Sequence, residues 1–309
     1  MPLSRRRSRH SMRSGVLMID KPAGLSSAAV VARVKRALGA QRVGHAGTLD
    51  PDATGLLVCL LNGATRVASY ALEGRKVYSG TMRLGVRTST DDMAGTVLEE
   101  CHDLPTFEHV QEAARGFLGI SDQVPPKVSA VKVGGQRAYK LQRAGKDVDL
   151  RCRAVTVDQF EVTAISPRNI GYRIVCSPGT YVRALARDLG EKLGCGGAAE
   201  TIRREGSGHL SVKNAVALDQ ISWDAVVDWS MLIPHVPRIV LPAHVSMDLL
   251  RGRTAALSAV DPFIGSLPGE HTLVAYAAED DRGETLGLLS VDATRRVAFE
   301  LNIARQREG

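Results

Sequence analysis

Alternating apolar and polar positions divide the chain into short strands and amphipathic helices. Residues 15–20 are predicted to form a strand. A helix follows that begins at Ser26 or Ser27, residues of the type preferred as helix caps, and Gly39 is expected to end it. Residues 56–61 are apolar throughout, which indicates a strand buried on both faces. The same patterns predict strands at 76–85 and 172–177 and helices at 107–118 and 180–193.

The composition changes along the chain and indicates three parts. Residues 1–14 contain five arginines among serines and no acid, so we expect a disordered basic arm. Residues 15–235 hold most of the predicted strands and helices and form the main domain, with a basic insertion at about 124–150. Residues 236–309 turn acidic and strand-rich, which indicates a small separate β domain. Its strands are predicted at 272–277, 285–291 and 296–303.

Composition also restricts the cellular setting. Apolar residues make up 44% of the chain, which supports a substantial core. There is no run of about 18 apolar residues, so a membrane span is not expected. The five cysteines are scattered and form no C-x-x-C pair, which argues against a disulfide framework and against a zinc site. We therefore expect a monomer in the reducing cytoplasm, with no membrane and no metal.

The charge distribution favours a polyanionic partner. The net charge is +7, while residues 246–309 carry seven basic and ten acidic residues. The whole positive excess therefore lies upstream of residue 246. A basic main domain of this kind attracts phosphate groups, although the charge alone does not identify the partner.

The stretch GHAGTLDPDATG at 44–55 is typical of a functional loop. Its three glycines allow positive φ and close approach to a ligand, while Pro51 drives Asp50 towards an extended conformation. The spacing imitates an EF-hand, but Leu61 occupies the position that requires a bidentate glutamate, which excludes calcium. A solvated surface turn stays open as an alternative. So does an aspartate-dependent phosphotransferase, although the polar stretch at 44–48 is unlike the buried strand that such an enzyme places before its aspartate.

Five blocks of sequence carry a family resemblance. They are GVLMIDKPAGLSS at 15–27, GHAGTLDPDATGLL at 44–57, VYSGTMRLG at 77–85 with TSTDDMAG at 88–95, QVPPKVSAVKVGGQRAY at 123–139 and CSPGTYVRALARDLGEKLG at 176–194. Together they closely resemble the TruB family of tRNA pseudouridine synthases. They occur in the family's order across roughly residues 15–215, which makes chance agreement improbable.

The resemblance implies both a fold and a reaction. The fold is α/β (α+β), with a mixed, largely antiparallel sheet flanked by helices. A thumb-like insertion is expected at about 124–150, and a small PUA-like β domain at 236–309. The reaction is isomerisation of uridine 55 to pseudouridine in the T-loop of tRNA, with no cofactor and no metal. The T-arm of tRNA is accordingly the expected partner.

The resemblance also assigns residues to this reaction. Asp50 matches the catalytic aspartate, whether that carboxylate forms an adduct or abstracts a ribose proton. Arg183 matches the arginine that pairs with it, and Tyr78 matches the tyrosine that stacks on the target base. An extruded base leaves a gap in the RNA stack, and His45 resembles the histidine that fills it. Three further matches are Tyr181 as a second pocket tyrosine, Lys21 as a pocket-edge lysine and Ile202 in place of the usual leucine beside the base.

Two features keep other interpretations open. The insertion lacks the tyrosine that the family often has before Ser129, because Val128 stands there. This puts one thumb contact in doubt. A tRNA-binding folding factor with incidental catalysis would use the same basic surface, and we carry it as the alternative hypothesis beside the phosphotransferase.

Overall fold

A computed structural model gives the architecture of the chain. It describes residues 13–129, 132–133, 136–137, 150–250, 253, 271–277, 285–291 and 297–303. Most of the predicted basic arm, and most of the residues between 130 and 149 in the thumb-like insertion, lie outside this description. Predictions for those segments stay predictions.

The described strands and helices follow one another closely along the chain. The strands up to the thumb-like insertion are β1 (Gly15–Lys21), β2 (Val43–Ala46), β3 (Thr54–Leu61), β4 (Lys76–Leu84), β5 (Val86–Thr88), β6 (Val97–Glu100), β7 (Gly119–Gln123), β8 (Lys132–Val133) and β9 (Gln136–Arg137). The later strands are β10 (Arg153–Ala164), β11 (Asn169–Cys176), β12 (Gly197–Ser207), β13 (Leu210–Ser211), β14 (Arg238–Leu241), β15 (His271–Ala277), β16 (Thr285–Val291) and β17 (Val297–Asn302). The α-helices are α1 (Ser27–Leu38), α2 (Ala68–Leu72), α3 (Phe107–Arg115), α4 (Val182–Lys192) and α5 (Ala243–Leu250).

Nine of the described strands form one mixed sheet that carries the candidate site. Its order is β1-β3-β12-β4-β11-β10-β7, with β2 paired to β3 and β13 paired to β12. The pairs are antiparallel except β3 with β12, which run parallel. The predicted fold class is confirmed.

The parallel contact between β3 and β12 divides this sheet into two halves. It consists of two residue pairs, Arg203 with Thr54 and Arg204 with Gly55. The β1-β2-β3 half packs against α1 around one core cluster, which also holds Leu49. The β12-β4-β11-β10-β7 half packs against α3 and α4 around another. The candidate site lies where these two cores meet.

Helix α1 confirms the predicted boundaries. Ser26 is its N-cap, and its side chain accepts a hydrogen bond from the backbone N–H of Ala29. Gly39 ends the helix with φ of 60°, a left-handed conformation that glycine adopts without strain. Val30, Val34 and Leu38 form its buried stripe.

Other boundaries differ from prediction for local reasons. Helix α4 begins at Val182 and not at residue 180, because Tyr181 has an extended backbone and serves as N-cap. Helix α3 ends at Arg115 and not at residue 118. Strands β7 and β10 were not predicted. Strand β12 was not recognised either, although it lies in the centre of the sheet. Its register against β4 shifts twice and its sequence is rich in charge, which obscures the alternation.

A second sheet, of order β14-β15-β16-β17, lies in the C-terminal part. The three strands predicted there are confirmed to within a residue or two. Leu288 and Ile303 are buried in the same cluster as Val16 and Leu60 of the first sheet. The residues at which the predicted domains begin and end, 15–235 and 236–309, stay predictions.

Candidate active site

The loop between β2 and β3 presents Asp50 at the junction of the two halves. The Asp50 side chain is 44% exposed, whereas its neighbour Leu49 is buried in the core. Ser27, the first residue of α1, fixes this loop from behind. Its hydroxyl lies 2.9 Å from both the backbone N and the carbonyl O of Leu49. The stiffly held carboxylate that the sequence predicts is therefore anchored on its buried side, and the structure shows that it is partly exposed.

Arg183 approaches Asp50 from the second half of the sheet. Its Nε lies 2.9 Å from Oδ2 of Asp50, and its own side chain is only 4% exposed. Nη1 donates to the carbonyl of Thr90 and Nη2 to that of Val128, both at 2.9 Å. All three guanidinium nitrogens thus have acceptors, so the group is held in one orientation towards the carboxylate.

A second carboxylate completes this network. Oδ2 of Asp92, in the loop between β5 and β6, lies 3.5 Å from Nη1 of Arg183. Oδ1 of Asp92 accepts from the hydroxyl of Thr90 at 2.5 Å and from the backbone N–H of Ala94 at 3.2 Å. Asp92 thereby ties the loop that carries Thr90 to the arginine. The sequence offers a signal for it, because Asp92 lies inside the block at 88–95, but the resemblance assigns it no role.

Lys21 lies beneath the loop and not at the edge of a pocket. The residue is fully buried, and its ammonium donates to the carbonyls of Pro22, Leu25 and Pro51 at 2.8–2.9 Å. Burial lowers the pKa of Lys21 to about 8, an effect that the nearby charges of Asp52 and Asp50 oppose. This placement corrects the expectation of a pocket-edge lysine, because a fully buried ammonium bonded to three carbonyls supports the loop from inside.

Tyr78 and Ile202 lie where the two cores meet. Both are partly buried, and each packs against the clusters of both halves. Tyr78 is on β4 and Ile202 on the adjacent strand β12. Burial raises the pKa of the Tyr78 phenol, while the nearby charge of Arg204 counteracts this. The Tyr78 hydroxyl therefore stays protonated at neutral pH.

Tyr181 and His45 complete the predicted set. Tyr181 lies two residues before Arg183, and its backbone N–H and C=O both bond to the side chain of Gln123. The guanidinium of Arg153 lies 5.7 Å from the centre of the Tyr181 ring, a cation–π contact. His45 is partly exposed on β2, opposite Cys59 of β3 and five residues before Asp50.

The described residues include no group of three or more His, Cys, Asp or Glu side chains placed to hold a metal ion. No helix in the described part of the chain is long and apolar enough to cross a membrane.

Comparison with known proteins identifies the family. Residues 35–182 match the model of the TruB family pseudouridylate synthase (N terminal domain). The tRNA pseudouridine synthase B of Thermobifida fusca (strain YX) is 48% identical over 229 residues, which cover 70% of this chain and 77% of that protein. The protein of the same name from Mycobacterium tuberculosis (strain ATCC 25618 / H37Rv) is 40% identical over 286 residues, which cover 91% of this chain and 93% of that protein.

A solved structure supports the same fold. The chain resembles one in the crystal structure of a Cbf5-Nop10-Gar1 complex with a TM-score of 0.65 and 23% identity, over 96% of this chain and 88% of that one. The ion pair at the junction, the five ordered blocks and these two relatives agree. The chain belongs to the TruB family of pseudouridylate synthases.

Proposed function

We propose that this chain isomerises a uridine of tRNA to pseudouridine, with Asp50 as the catalytic carboxylate. The observation that carries the proposal is the 2.9 Å ion pair between Asp50 and Arg183. Arg183 is almost completely buried while Asp50 is 44% exposed. One oxygen of the carboxylate is thus held from behind by a fixed cation, and the carboxylate is open on its other side to a nucleotide.

The reaction needs one oriented carboxylate and few other acidic or basic groups of the protein. The bond between N1 and the ribose C1′ breaks, the base rotates, and a bond forms between C5 and C1′. The proton on C5 is then released and N1 gains one, so the product is an isomer of the substrate. A fixed ion pair at the edge of an apolar core favours such chemistry, because the charge that acts on the sugar is already oriented.

The residues around Asp50 suit an extruded base. A uridine stacked inside RNA cannot reach a carboxylate in a protein core, so the base must leave its stack at a cost of a few kcal/mol. We assign the ring of Tyr78 to stacking on that base and Ile202 to the apolar wall beside it. His45 fills the gap in the RNA, and Tyr181 lines the pocket next to Arg183. Lys21 supports the loop from beneath, through the carbonyl of Pro51.

The finer specificity belongs to the same proposal. The target is uridine 55 in the T-loop, and the basic insertion at about 124–150 clamps the T-arm. The main domain at 15–235 performs the reaction, and the β domain at 236–309 adds a PUA-like unit. The enzyme acts as a monomer in the cytoplasm and uses neither a metal nor a cofactor.

The substitution Asp50→Asn tests the catalytic assignment. The asparagine keeps the shape of the side chain but carries no charge, so the variant should bind T-arm RNA with unchanged affinity. It should release no tritium from RNA that carries 5-tritiated uridine. The matched control is Asp52→Asn, which neutralises an exposed carboxylate two residues along the same loop and should retain turnover. Tritium release by Asp50→Asn at the rate of the control would refute the proposal.

Further arms of this experiment separate the alternatives. Mapping pseudouridine in the product tests position 55 against the other uridines of the T-arm. Turnover that persists in EDTA excludes a magnesium-dependent phosphotransferase. If cells that carry only the Asp50→Asn protein grow as well as wild-type cells in competition, binding suffices for fitness and the folding-factor hypothesis is favoured.

A further inference from the structure

Arg204 is a buried cation to which the proposed reaction assigns no role. Only 2% of the residue is exposed. Its Nε donates to the carbonyl of Leu56 at 2.7 Å and its Nη2 to the carbonyl of Gly47 at 3.0 Å. Among the described residues, the hydrogen-bond acceptors of its side chain are these two carbonyls, without a carboxylate. Burying a charge without a counter-ion is costly, so its place in the fold requires a specific explanation.

The position of Arg204 in the sheet explains why this charge is buried. It lies on β12, where it pairs with Gly55 of β3 on one side and with Tyr78 of β4 on the other. The parallel contact of β3 with β12 is two residue pairs long, so the backbone ladder alone joins the halves weakly there. The hydrogen bonds of the Arg204 side chain to Leu56 and Gly47 span 148 and 157 residues of sequence and cross this same junction.

The loop that carries Asp50 is built closely around Arg204. Gly47 has φ of +85°, and a Cβ atom placed on it would lie 3.1 Å from Nη1 of Arg204. Gly55 has φ of +96°, and a Cβ atom there would clash with the backbone of Arg204. Both glycines adopt positive φ without strain, and the loop passes close to the Arg204 side chain at Gly47 and to the Arg204 backbone at Gly55. Asp50 lies between these two contacts.

Tyr78 is the third partner. Arg204 and Tyr78 are paired across β12 and β4, and the charge of Arg204 acts on the Tyr78 phenol. The Arg204 side chain thus bonds to the loop of the first half and lies beside an aromatic residue of the second half. Because guanidinium is planar and rigid, it fixes the distance between its partners more strictly than a single hydrogen bond does.

We propose that Arg204 is a positioning residue for the isomerisation, which holds the Asp50 loop and Tyr78 at a fixed separation across the junction of the sheet. This inference rests on the proposed function, since it assumes that Asp50 acts on the sugar and that Tyr78 contacts the base. In this proposal, Arg204 contacts neither the sugar nor the base. It acts through Gly47 and Tyr78, so its loss should slow the chemical step more than it weakens RNA binding.

Arg204→Lys tests this inference, because lysine keeps the charge and loses the planar fork. The single-turnover rate of tritium release should fall by at least about tenfold, as expected when catalytic groups are displaced by a fraction of an ångström. The dissociation constant for T-arm RNA should change by less than about threefold. Arg203→Lys is the matched control, because Arg203 is the preceding residue, is 37% exposed and pairs with Asp20. The single-turnover rate and the dissociation constant of Arg203→Lys should both stay close to the wild-type values.

Two outcomes would overturn the inference. One is a single-turnover rate for Arg204→Lys equal to that of Arg203→Lys. The other is a loss of RNA affinity as large as the loss of rate, which would make Arg204 a binding residue. If Asp50→Asn is inactive and Arg204→Lys is as fast as its control, this inference alone fails. If Asp50→Asn is active, the proposed function fails first.

A second variant keeps the test decisive if Arg204→Lys does not fold. Tyr78→Phe keeps the ring but removes the polar hydroxyl from the residue paired with Arg204 on the neighbouring strand. Its thermal midpoint should fall by about 2 °C or more relative to Tyr70→Phe, a change at a partly buried tyrosine of α2. Equal midpoints for the two variants would show that Arg204 does not depend on Tyr78 and would overturn the inference.

Discussion

At the scale of single residues, the site combines buried cations with one accessible carboxylate. Lys21, Arg183 and Arg204 are all at most 4% exposed, and their acceptors include backbone carbonyls of the loops that shape the site. The charge of Lys21 acts on Asp50 and Asp52, and that of Arg183 on Asp50, from inside the fold, where low polarity strengthens electrostatic interactions. The orientation of the Asp50 carboxylate therefore depends on interior residues.

Lys21 provides a test of this arrangement through pH. Its pKa is lowered from 10.5 to about 8, mainly by burial. Between these values the unfolded chain binds the proton and the folded chain does not, so the free energy of unfolding gains a term that rises with pH. Below pH 8 both states bind the proton, and the cost of the buried charge is present in full. The contribution from this lysine should improve by up to about 3 kcal/mol between pH 8 and pH 10.5.

Urea unfolding of wild type and Lys21→Met at pH 8, 9 and 10 measures that contribution. The stability of wild type minus that of the variant should increase over this range, because methionine carries no proton to lose. Lys213→Met, at an exposed lysine, is the control and should give a pH-independent difference. A difference for Lys21→Met that stays flat would show that the ammonium is not destabilised by its burial.

At the scale of elements, two adjacent serines at the start of helix α1 have different structural roles. Ser26 caps the helix through the N–H of Ala29 at 3.1 Å. Ser27 is buried, and its hydroxyl holds the backbone of Leu49, the residue before Asp50. One side chain therefore maintains the helix, and the next anchors the loop that carries Asp50 to it.

Alanine substitutions should separate these two roles. Ser26→Ala should lower the free energy of unfolding by about 1 kcal/mol, the usual cost of losing an N-cap, with an unchanged rate of tritium release. Ser27→Ala should cost about 1–3 kcal/mol, since it leaves buried backbone groups of Leu49 without partners. It should also slow tritium release at saturating RNA by about tenfold, because the loop loses its anchor. Equal rates for the two variants would contradict the anchoring role of Ser27.

The pattern of the sequence predicted some elements well and others not at all. Helix α1 and strands β1, β3 and β4 follow from local signals, namely caps, a glycine stop and apolar runs. Strand β12 does not, because two register shifts and the charged run at 203–205 interrupt its alternation. One signal within β12 was available. Two adjacent arginines on a strand point to opposite faces, so either Arg203 or Arg204 had to be directed inward.

At the scale of the whole molecule, the basic surface and the ion pair of Asp50 with Arg183 should respond differently to salt. The net charge is +7, and the excess is confined to the part upstream of residue 246. Phosphate contacts by such a surface release counterions, so RNA affinity depends on salt. The ion pair of Asp50 with Arg183 involves a nearly buried arginine, which bulk ions screen much less.

Salt should therefore change binding and catalysis differently. We expect the affinity for T-arm RNA to fall by about tenfold or more between 50 mM and 200 mM salt. The single-turnover rate at saturating RNA should stay within about twofold over the same range, since Arg183 is nearly buried and its pair with Asp50 is screened less than exposed charges are. The measurements are filter binding and tritium release in matched buffers. A salt-independent affinity would show that the basic excess does not contact the RNA backbone.

The sequence by itself determined the family, the stiff loop around Asp50, helices α1, α3 and α4, and four of the nine strands in the first sheet, namely β1, β3, β4 and β11. These features depend on neighbouring residues: a proline after the aspartate, glycines where φ is positive, and apolar runs of strand length. Only the tertiary structure decided that Lys21 is buried, that Asp92 joins Arg183, and that Arg204 reaches Gly47. Those contacts join segments far apart in sequence, 157 residues in the last case. No local pattern encodes them, because they form only when the two halves of the sheet pack together.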